Sequence, residues 1–312
     1  MRPRLLVLRA LGLGDLLTGL PALRALAEAL PFHRRVLAAP AWLEPVATLS
    51  GAVDELLPTQ PLGPIGLERP DVAVNLHGRG PESHRRLLET KPRRLIAFYN
   101  EEIPASAGSP RWRQDEHEVR RWCRLLVESG IPADPTWLEL DPPFLEAPRR
   151  ARGATMLHPG ASSEARRWPP DRWAVVARAE RQAGRDVVVT GGPSEVELAH
   201  AVAEMAGLPR NRVFAGGDLL RLVAVVAAAG RVVSGDTGVA HLATALRKPS
   251  VVLFGPVSPR LWGPPEDARH LVLWAGRSGD PHADVPDAGL LEITPEQVLQ
   301  ALRRLEVSSP AA

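Results

Sequence analysis

The sequence predicts an α/β protein of two nucleotide-fold domains, each built on a parallel sheet, and three observations carry that reading. Strand-like apolar runs alternate with helix-like runs along the whole chain, the order that parallel sheets require. Each half holds a buried strand, a glycine turn bearing an aspartate, and then a helix: Gly14-Asp15 in the first half and Gly235-Asp236-Thr237-Gly238 in the second. Between them a segment rich in proline and charge, 132–152, interrupts the pattern, which then restarts. At 312 residues the chain is long enough to bury two medium cores.

In the first half, residues 4–8 are predicted as a strand and 16–30 as an amphipathic helix. Further short strands are expected at 36–39, 72–76 and 95–98. Residues 116–130 read as a helix with Val119, Trp122, Cys123, Leu126 and Val127 on one face. Gly, Pro and Ser mark loops at 63–70 and 103–110.

In the second half, a strand at 154–157 leads into the loop His158-Pro159-Gly160-Ala161-Ser162-Ser163. A helix follows at 171–184, then a strand at 187–190 that ends in Gly191-Gly192-Pro193. Helices are expected at 194–206 and 219–230, a strand at 232–234, a helix at 239–246 and a strand at 250–254. Thr294 caps a last helix over 295–305, with Pro295 at its first position and Glu296 in its first turn. The residues beyond it are expected to be disordered.

Composition bounds the function. Hydrophobic content of 45% and charged content of 24% are those of a soluble globular protein. A formal net charge of +2 gives no support to a nucleic-acid role. The only lysines are Lys91 and Lys248, so 36 of the 38 basic residues are arginine, the usage of a GC-rich genome. A phosphate-binding cation in this chain is therefore expected to be an arginine. One cysteine, Cys123, excludes an internal disulfide and a cysteine zinc site, and fits a reducing cytoplasm. The apolar start of the chain is broken by Arg9 and Asp15 and has no cleavage pattern, so it reads as a strand and not as a signal peptide. No apolar run is long enough to span a bilayer.

Four post-strand turns carry the candidate chemistry. Gly12-Leu13-Gly14-Asp15 lacks the third glycine of a dinucleotide fingerprint, since position 17 is Leu. Asp15 either caps its helix or serves as a catalytic carboxylate, and spacing alone does not decide between them. The loop 158–169 offers Ser162, Ser163, Arg166 and Arg167 to phosphate oxygens, or is a solvated loop anchored by Trp168-Pro169. Glu195 suits a ribose hydroxyl or the start of its own helix. The turn at Asp236-Thr237-Gly238 opens a helix whose unpaired N–H groups suit a diphosphate, with His241 one turn further on; a lone histidine is as readily structural. There is no Asp-x-Asp pair of the kind that holds a divalent ion on a sugar nucleotide, so no metal is implied.

Together these segments resemble the family 9 glycosyltransferases, the ADP-heptose:lipopolysaccharide heptosyltransferase family. The resemblance rests on five motifs in the family's order. They are Leu13-Gly14-Asp15 with Pro21 downstream, His158-Pro159-Gly160-Ala161-Ser162 with Arg166-Arg167-Trp168-Pro169, Gly191-Gly192-Pro193-Ser194-Glu195, Val233-Ser234-Gly235-Asp236-Thr237-Gly238-Val239-Ala240-His241, and Leu253-Phe254-Gly255-Pro256. It implies a GT-B fold, two Rossmann-like domains with parallel sheets facing across a cleft. Residues 1–147 would bind the acceptor and 148–312 the nucleotide sugar, with the final helix expected to pack back near the first domain. Asp15 falls at the family's general base. Ser162, Ser163, Arg166, Glu195, Asp236, Thr237, Gly238 and His241 fall on the donor side, Arg166 standing where the family usually has Lys. Gly14, His77 and Arg79 are acceptor-side candidates. The chain departs from many family members in 274–282, which carries no cysteine.

The resemblance implies an inverting, metal-independent transfer of a sugar, heptose by family default, from an ADP-linked donor to a glycan or lipid-linked hydroxyl. No cofactor beyond the donor is expected. The implied enzyme is a cytoplasmic monomer in peripheral contact with the inner membrane face. A nucleotide-sugar epimerase or hydrolase, and a nucleotide-binding sensor, are the competing readings; the first turns over donor without acceptor, the second turns over nothing.

Overall fold

The computed structural model describes residues 2–308. Of the chain end expected to be disordered, 306–308 continue the last helix and 309–312 lie outside the described residues. The chain divides into two compact units, Met1–Leu140 and Asp141–Ala312, seven residues before the expected boundary.

The first unit contains β1 (Arg4–Leu8), α1 (Leu13–Thr18), α2 (Leu20–Ala29), β2 (Arg34–Ala39), α3 (Glu44–Leu49), β3 (Glu55–Pro58), β4 (Val72–Asn75), α4 (Glu82–Glu89), β5 (Arg94–Ile96) and α5 (Glu118–Glu128). Its sheet runs β3-β2-β1-β4-β5, with every pairing parallel. The central strand β1 is a continuous apolar run because helices cover both faces of a parallel sheet. Chain order reverses between β1 and β4, which pair with Leu8 opposite Asn75. Ligands of open α/β sheets bind beyond the carboxyl ends of the strands at such a reversal.

The helix expected over 16–30 is two helices. They break at Gly19, which serves as the C-cap of α1 and the N-cap of α2, and the Arg9 side chain packs against that break. In α5, Leu125 joins the buried face and Val127 is exposed, the reverse of the predicted placement. Cys123 is buried among apolar neighbours, and burial pushes its thiol up to about 12, so it is a core residue and not a nucleophile.

The second unit contains β6 (Thr155–His158), α6 (Pro170–Gln182), β7 (Val187–Gly191), α7 (Val196–Met205), β8 (Val213–Ala215), α8 (Leu219–Ala228), β9 (Arg231–Gly235), α9 (Gly238–Ala245), β10 (Ser250–Phe254), α10 (Pro259–Trp262), β11 (His270–Trp274), α11 (Ala288–Glu292) and α12 (Pro295–Ser308). Its sheet runs β11-β10-β9-β6-β7-β8, again all parallel. Here the order reverses between β6 and β9, with His158 opposite Ser234. Thr294 begins α12 with a reciprocal cap: its hydroxyl accepts the Gln297 N–H, and its own N–H donates to Gln297 Oε1 at 2.8 Å.

The apolar face of the last helix packs within its own unit. Val298, Ala301, Leu302 and Leu305 are buried in the second unit's own core, with α6, β10 and β11 as packing partners. A buried polar cluster fixes this docking: Arg231 donates to Thr155 Oγ1 and to the Leu302 carbonyl and pairs with Glu180.

Candidate active site

The two reversal points hold the two groups of predicted residues. In the first unit, the loop after β1 carries Gly14 and Asp15, and the loop after the adjacent strand β4 carries His77 and Arg79. The Asp15 carboxylate turns back on its own helix, where Oδ2 accepts the Gly12 N–H at 3.1 Å. The capping role therefore exists, but it uses one oxygen. The side chain stays 27% exposed, and Oδ1 lies 3.8 Å from Arg9 Nη2.

His77 stands nearby on the neighbouring loop. Its N–H donates to Asn75 Oδ1, while its ring Nδ1 is buried without a partner. Burial first, and then the positive charge of Arg9, hold the His77 ring below the ordinary imidazole range, with Asp15 pulling the other way. The loop is anchored from beneath: Asn75 also donates to Ser83 and to His84 Nδ1, and His84 Nε2 reaches the Phe98 carbonyl at 2.7 Å. Arg79 is exposed, its carbonyl accepting from Asn100.

In the second unit, the loop after β6 carries Ser162, Ser163 and Arg166, and the turn after the adjacent β9 carries Asp236, Thr237 and Gly238. These two segments touch. A Cβ on Gly235 would lie 3.3 Å from the Arg166 carbonyl oxygen, so the glycine lets the loops close on one another. Arg166 Nε is buried with no hydrogen-bond partner among the described residues. Burial raises the Asp236 carboxyl to about 6, against the opposing pull of the Arg166 guanidinium. A guanidinium with an unused buried N–H leaves a donor open to an anion.

Thr237 is the N-cap of α9, its hydroxyl accepting the Val239 N–H at 3.3 Å. His241 faces Trp262 edge-on, with ring centroids 6.0 Å apart. Ser162 is exposed, whereas the Ser163 hydroxyl donates to the Pro281 carbonyl and ties the loop to the segment that lacks cysteine. Arg167 is occupied by the Ala161 carbonyl and Glu164, which leaves Arg166 as the cation of the pair that faces Asp236. Glu195 turns onto its own turn. Its Oε2 accepts the Gly192 N–H at 2.7 Å and stands 3.7 Å from His158 Nε2, and the carboxylate covers Gly160, where any Cβ would collide with it.

Sequence reasoning missed Arg9, which it read as a break in an apolar run, and Glu118. Both are buried and joined at 3.2 Å beside Asp15. The available signal was an arginine at the end of an otherwise apolar central strand, where a charge persists only with partners.

The family model for glycosyltransferase family 9 (heptosyltransferase) matches residues 102–286, more than half of the chain. This chain belongs to glycosyltransferase family 9. It is therefore a glycosyltransferase. It is 26% identical to lipopolysaccharide heptosyltransferase 2 of Escherichia coli K12, across 99% of this chain and all of that protein. Among solved structures, the family 9 glycosyl transferase from Veillonella parvula superposes with a TM-score of 0.80 at 20% identity, covering 99% of this chain and 98% of that one. The E. coli ADP-heptose lipopolysaccharide heptosyltransferase II superposes with a TM-score of 0.76 at 21% identity, covering 97% and 98%. These likenesses show the GT-B fold, in agreement with the two parallel-sheet units of this glycosyltransferase. Among its described residues no group of three or more His, Cys, Asp or Glu is placed to hold a metal ion, and no helix is long and apolar enough to cross a membrane.

Proposed function

We propose that this glycosyltransferase moves heptose from ADP-heptose to a hydroxyl of a lipopolysaccharide-type glycolipid, with inversion and without a metal ion. One observation carries the reading: each sheet presents complementary chemistry at its reversal point. The first unit holds an aspartate with one oxygen hydrogen-bonded in its own turn and the other 3.8 Å from Arg9 Nη2; the second holds a buried guanidinium donor with no hydrogen-bond partner among the described residues, near a helix start. The names of the full-length E. coli relatives supply the sugar, the nucleotide and the acceptor class.

In this reading Asp15 accepts the proton of the acceptor hydroxyl as its oxygen attacks the anomeric carbon. The bond to the diphosphate breaks and ADP leaves with the electron pair. Negative charge grows on the leaving oxygens, where Arg166, Ser162 and the N–H groups at the start of α9 stabilise it. Thr237 and Gly238 shape that helix start, His241 and Ser163 support it, and Glu195 and Asp236 meet sugar hydroxyls. Gly14, His77 and Arg79 face the acceptor. The enzyme works as a monomer in the cytoplasm, meeting an anionic glycolipid at the inner membrane face.

The test is transfer from ADP-heptose to a delipidated lipopolysaccharide core in the presence of EDTA, with the product's anomeric configuration read by NMR. A heptosylated product of inverted configuration is expected. Retained configuration would sink the single displacement, loss of transfer in EDTA would sink metal independence, and hydrolysis of donor without transfer would sink the acceptor assignment.

A further inference from the structure

We infer that Arg9 is a positioning residue for glycosyl transfer: a fully buried guanidinium that fixes both the backbone and the carboxylate of Asp15, with Glu118 as its counter-ion. The inference rests on the reading of Asp15 as the general base.

Arg9 sits immediately after β1 and has no exposed surface. Its donors are distributed over three segments: α1, the loop after β4, and α5. Nε donates to the main-chain oxygen of Asp15, and Nη1 to the Leu76 carbonyl just past β4. Nη2 donates to Thr18 Oγ1 at 3.0 Å and to Glu118 Oε1 at 3.2 Å, and lies 3.8 Å from Asp15 Oδ1. The guanidinium stacks over the Trp122 ring at 4.9 Å. Thr18 is itself within reach of the Gly14 carbonyl at 2.9 Å, so the whole turn that presents Asp15 is tied to one cation.

The counter-ion is equally constrained. Glu118 is buried, its Oε1 also accepts Trp122 Nε1 at 2.8 Å, and its Oε2 pairs with Arg121. Burying such ions costs several kcal/mol each, and an apolar side chain of similar volume generally serves stability as well or better. What an apolar side chain does not supply is a fixed direction for the neighbouring carboxylate. A misplacement of about 1 Å in a reacting group costs roughly a hundredfold in rate. Leu76 lies next to His77, so the same cation also sets the height of the acceptor-side loop against Asp15.

The experiment compares Arg9→Lys, Glu118→Gln, Asp15→Asn and the double variant Arg9→Lys/Asp15→Asn. ADP affinity and the KM for each substrate are measured beside kcat. Arg9→Lys keeps the charge but not the fork that reaches Asp15, Leu76 and Thr18 together. It is expected to lower kcat by about ten- to a hundredfold with ADP affinity and KM unchanged. In the Asp15→Asn background it is expected to cost nothing further, because it acts through the base. Glu118→Gln preserves shape and supplies the same test at milder cost, a fall in kcat of a few-fold, should Arg9→Lys fail to fold.

Wild-type kcat in folded Arg9→Lys or in Glu118→Gln, with Asp15→Asn inactive, overturns the inference and leaves Asp15 as the base. Equal multiplicative loss in both backgrounds also overturns it, since that is the mark of a structural defect. Wild-type transfer by Asp15→Asn overturns the reading of Asp15 and the inference together.

Discussion

Asp15 Oδ2 accepts the Gly12 N–H at 3.1 Å, so the carboxylate that caps the first turn of α1 does so with one oxygen only. Capping and proton transfer are therefore compatible in one side chain. Asp15→Asn keeps an oxygen for Gly12 and the shape of the turn but removes the basic site. Transfer should fall about 10²- to 10⁴-fold. ADP affinity, read by calorimetry, should not change, since the residues proposed to hold the donor belong to the other unit. Equal loss of ADP binding would show that Asp15 holds the donor instead.

Arg166 Nε is buried with no hydrogen-bond partner among the described residues. If it holds the donor diphosphate, Arg166→Ala removes a charge-assisted contact worth about 1.5–3 kcal/mol, a weakening of ADP binding on the order of ten- to a hundredfold. Arg166→Lys restores the charge without the fork and should recover part of that loss. The affinity of the wild-type enzyme should also fall with added salt, and that of Arg166→Ala less so. Titration of ADP at two salt concentrations reads both; an Ala variant with wild-type affinity would remove Arg166 from the donor site.

Asp236 gives a pH signature with a definite sign. Burial raises its carboxyl from 3.8 to about 6. A group whose folded value is raised contributes stability fully present below the unfolded value. That contribution is lost as pH rises through the folded one, about 3 kcal/mol for a rise of this size. Asp236→Asn lacks the ionisation and escapes the loss. The difference in unfolding free energy between the variant and the wild type should therefore move in the variant's favour between pH 4 and pH 7. Taking the difference cancels opposing contributions from the exposed pairs of Asp54 and Asp267, which persist in both proteins. Parallel pH curves for the two proteins would refute the buried titration.

Much of this site was legible in the sequence because its chemistry is local. Strand, glycine turn and helix follow each other within a dozen residues, and β1 and β10 begin and end at the residues the apolar runs indicate. What sequence did not show depends on contacts between distant segments. Arg9 and Glu118 are 109 positions apart, and nothing in either neighbourhood marks them as partners. Edge strands such as β3 and β8 went unread because they are short and only partly buried, so they lack the apolar run that signals a central strand. The helix α4 was missed because His84 is one of its few buried side chains amid arginine and glutamate. Glu195 shows the same limit from the other side. Its spacing suits a ribose contact, yet only coordinates reveal that Gly160 leaves room for its carboxylate to fold back on Gly192.

Gly19 offers a test of the Arg9 packing that needs no substrate. Its backbone, at φ −84° and ψ −10°, is one any residue adopts. Replacing such a glycine by alanine normally stabilises a protein by about 0.4–1 kcal/mol, through the unfolded state. Here a Cβ would lie 3.0 Å from both Cδ and Nε of Arg9 and 3.3 Å from the Leu16 carbonyl oxygen. Arg9 has no room to retreat, because its donors are fixed on Asp15, Leu76, Thr18 and Glu118. Gly19→Ala should therefore reverse the usual sign and destabilise by about 1–3 kcal/mol, the cost of overpacking a filled core. In the Arg9→Lys background the long planar fork is gone and the cost of the added methyl should shrink. Denaturant unfolding of the two singles and the double gives that coupling directly. A Gly19→Ala variant more stable than wild type would mean that the guanidinium is not held where these contacts place it.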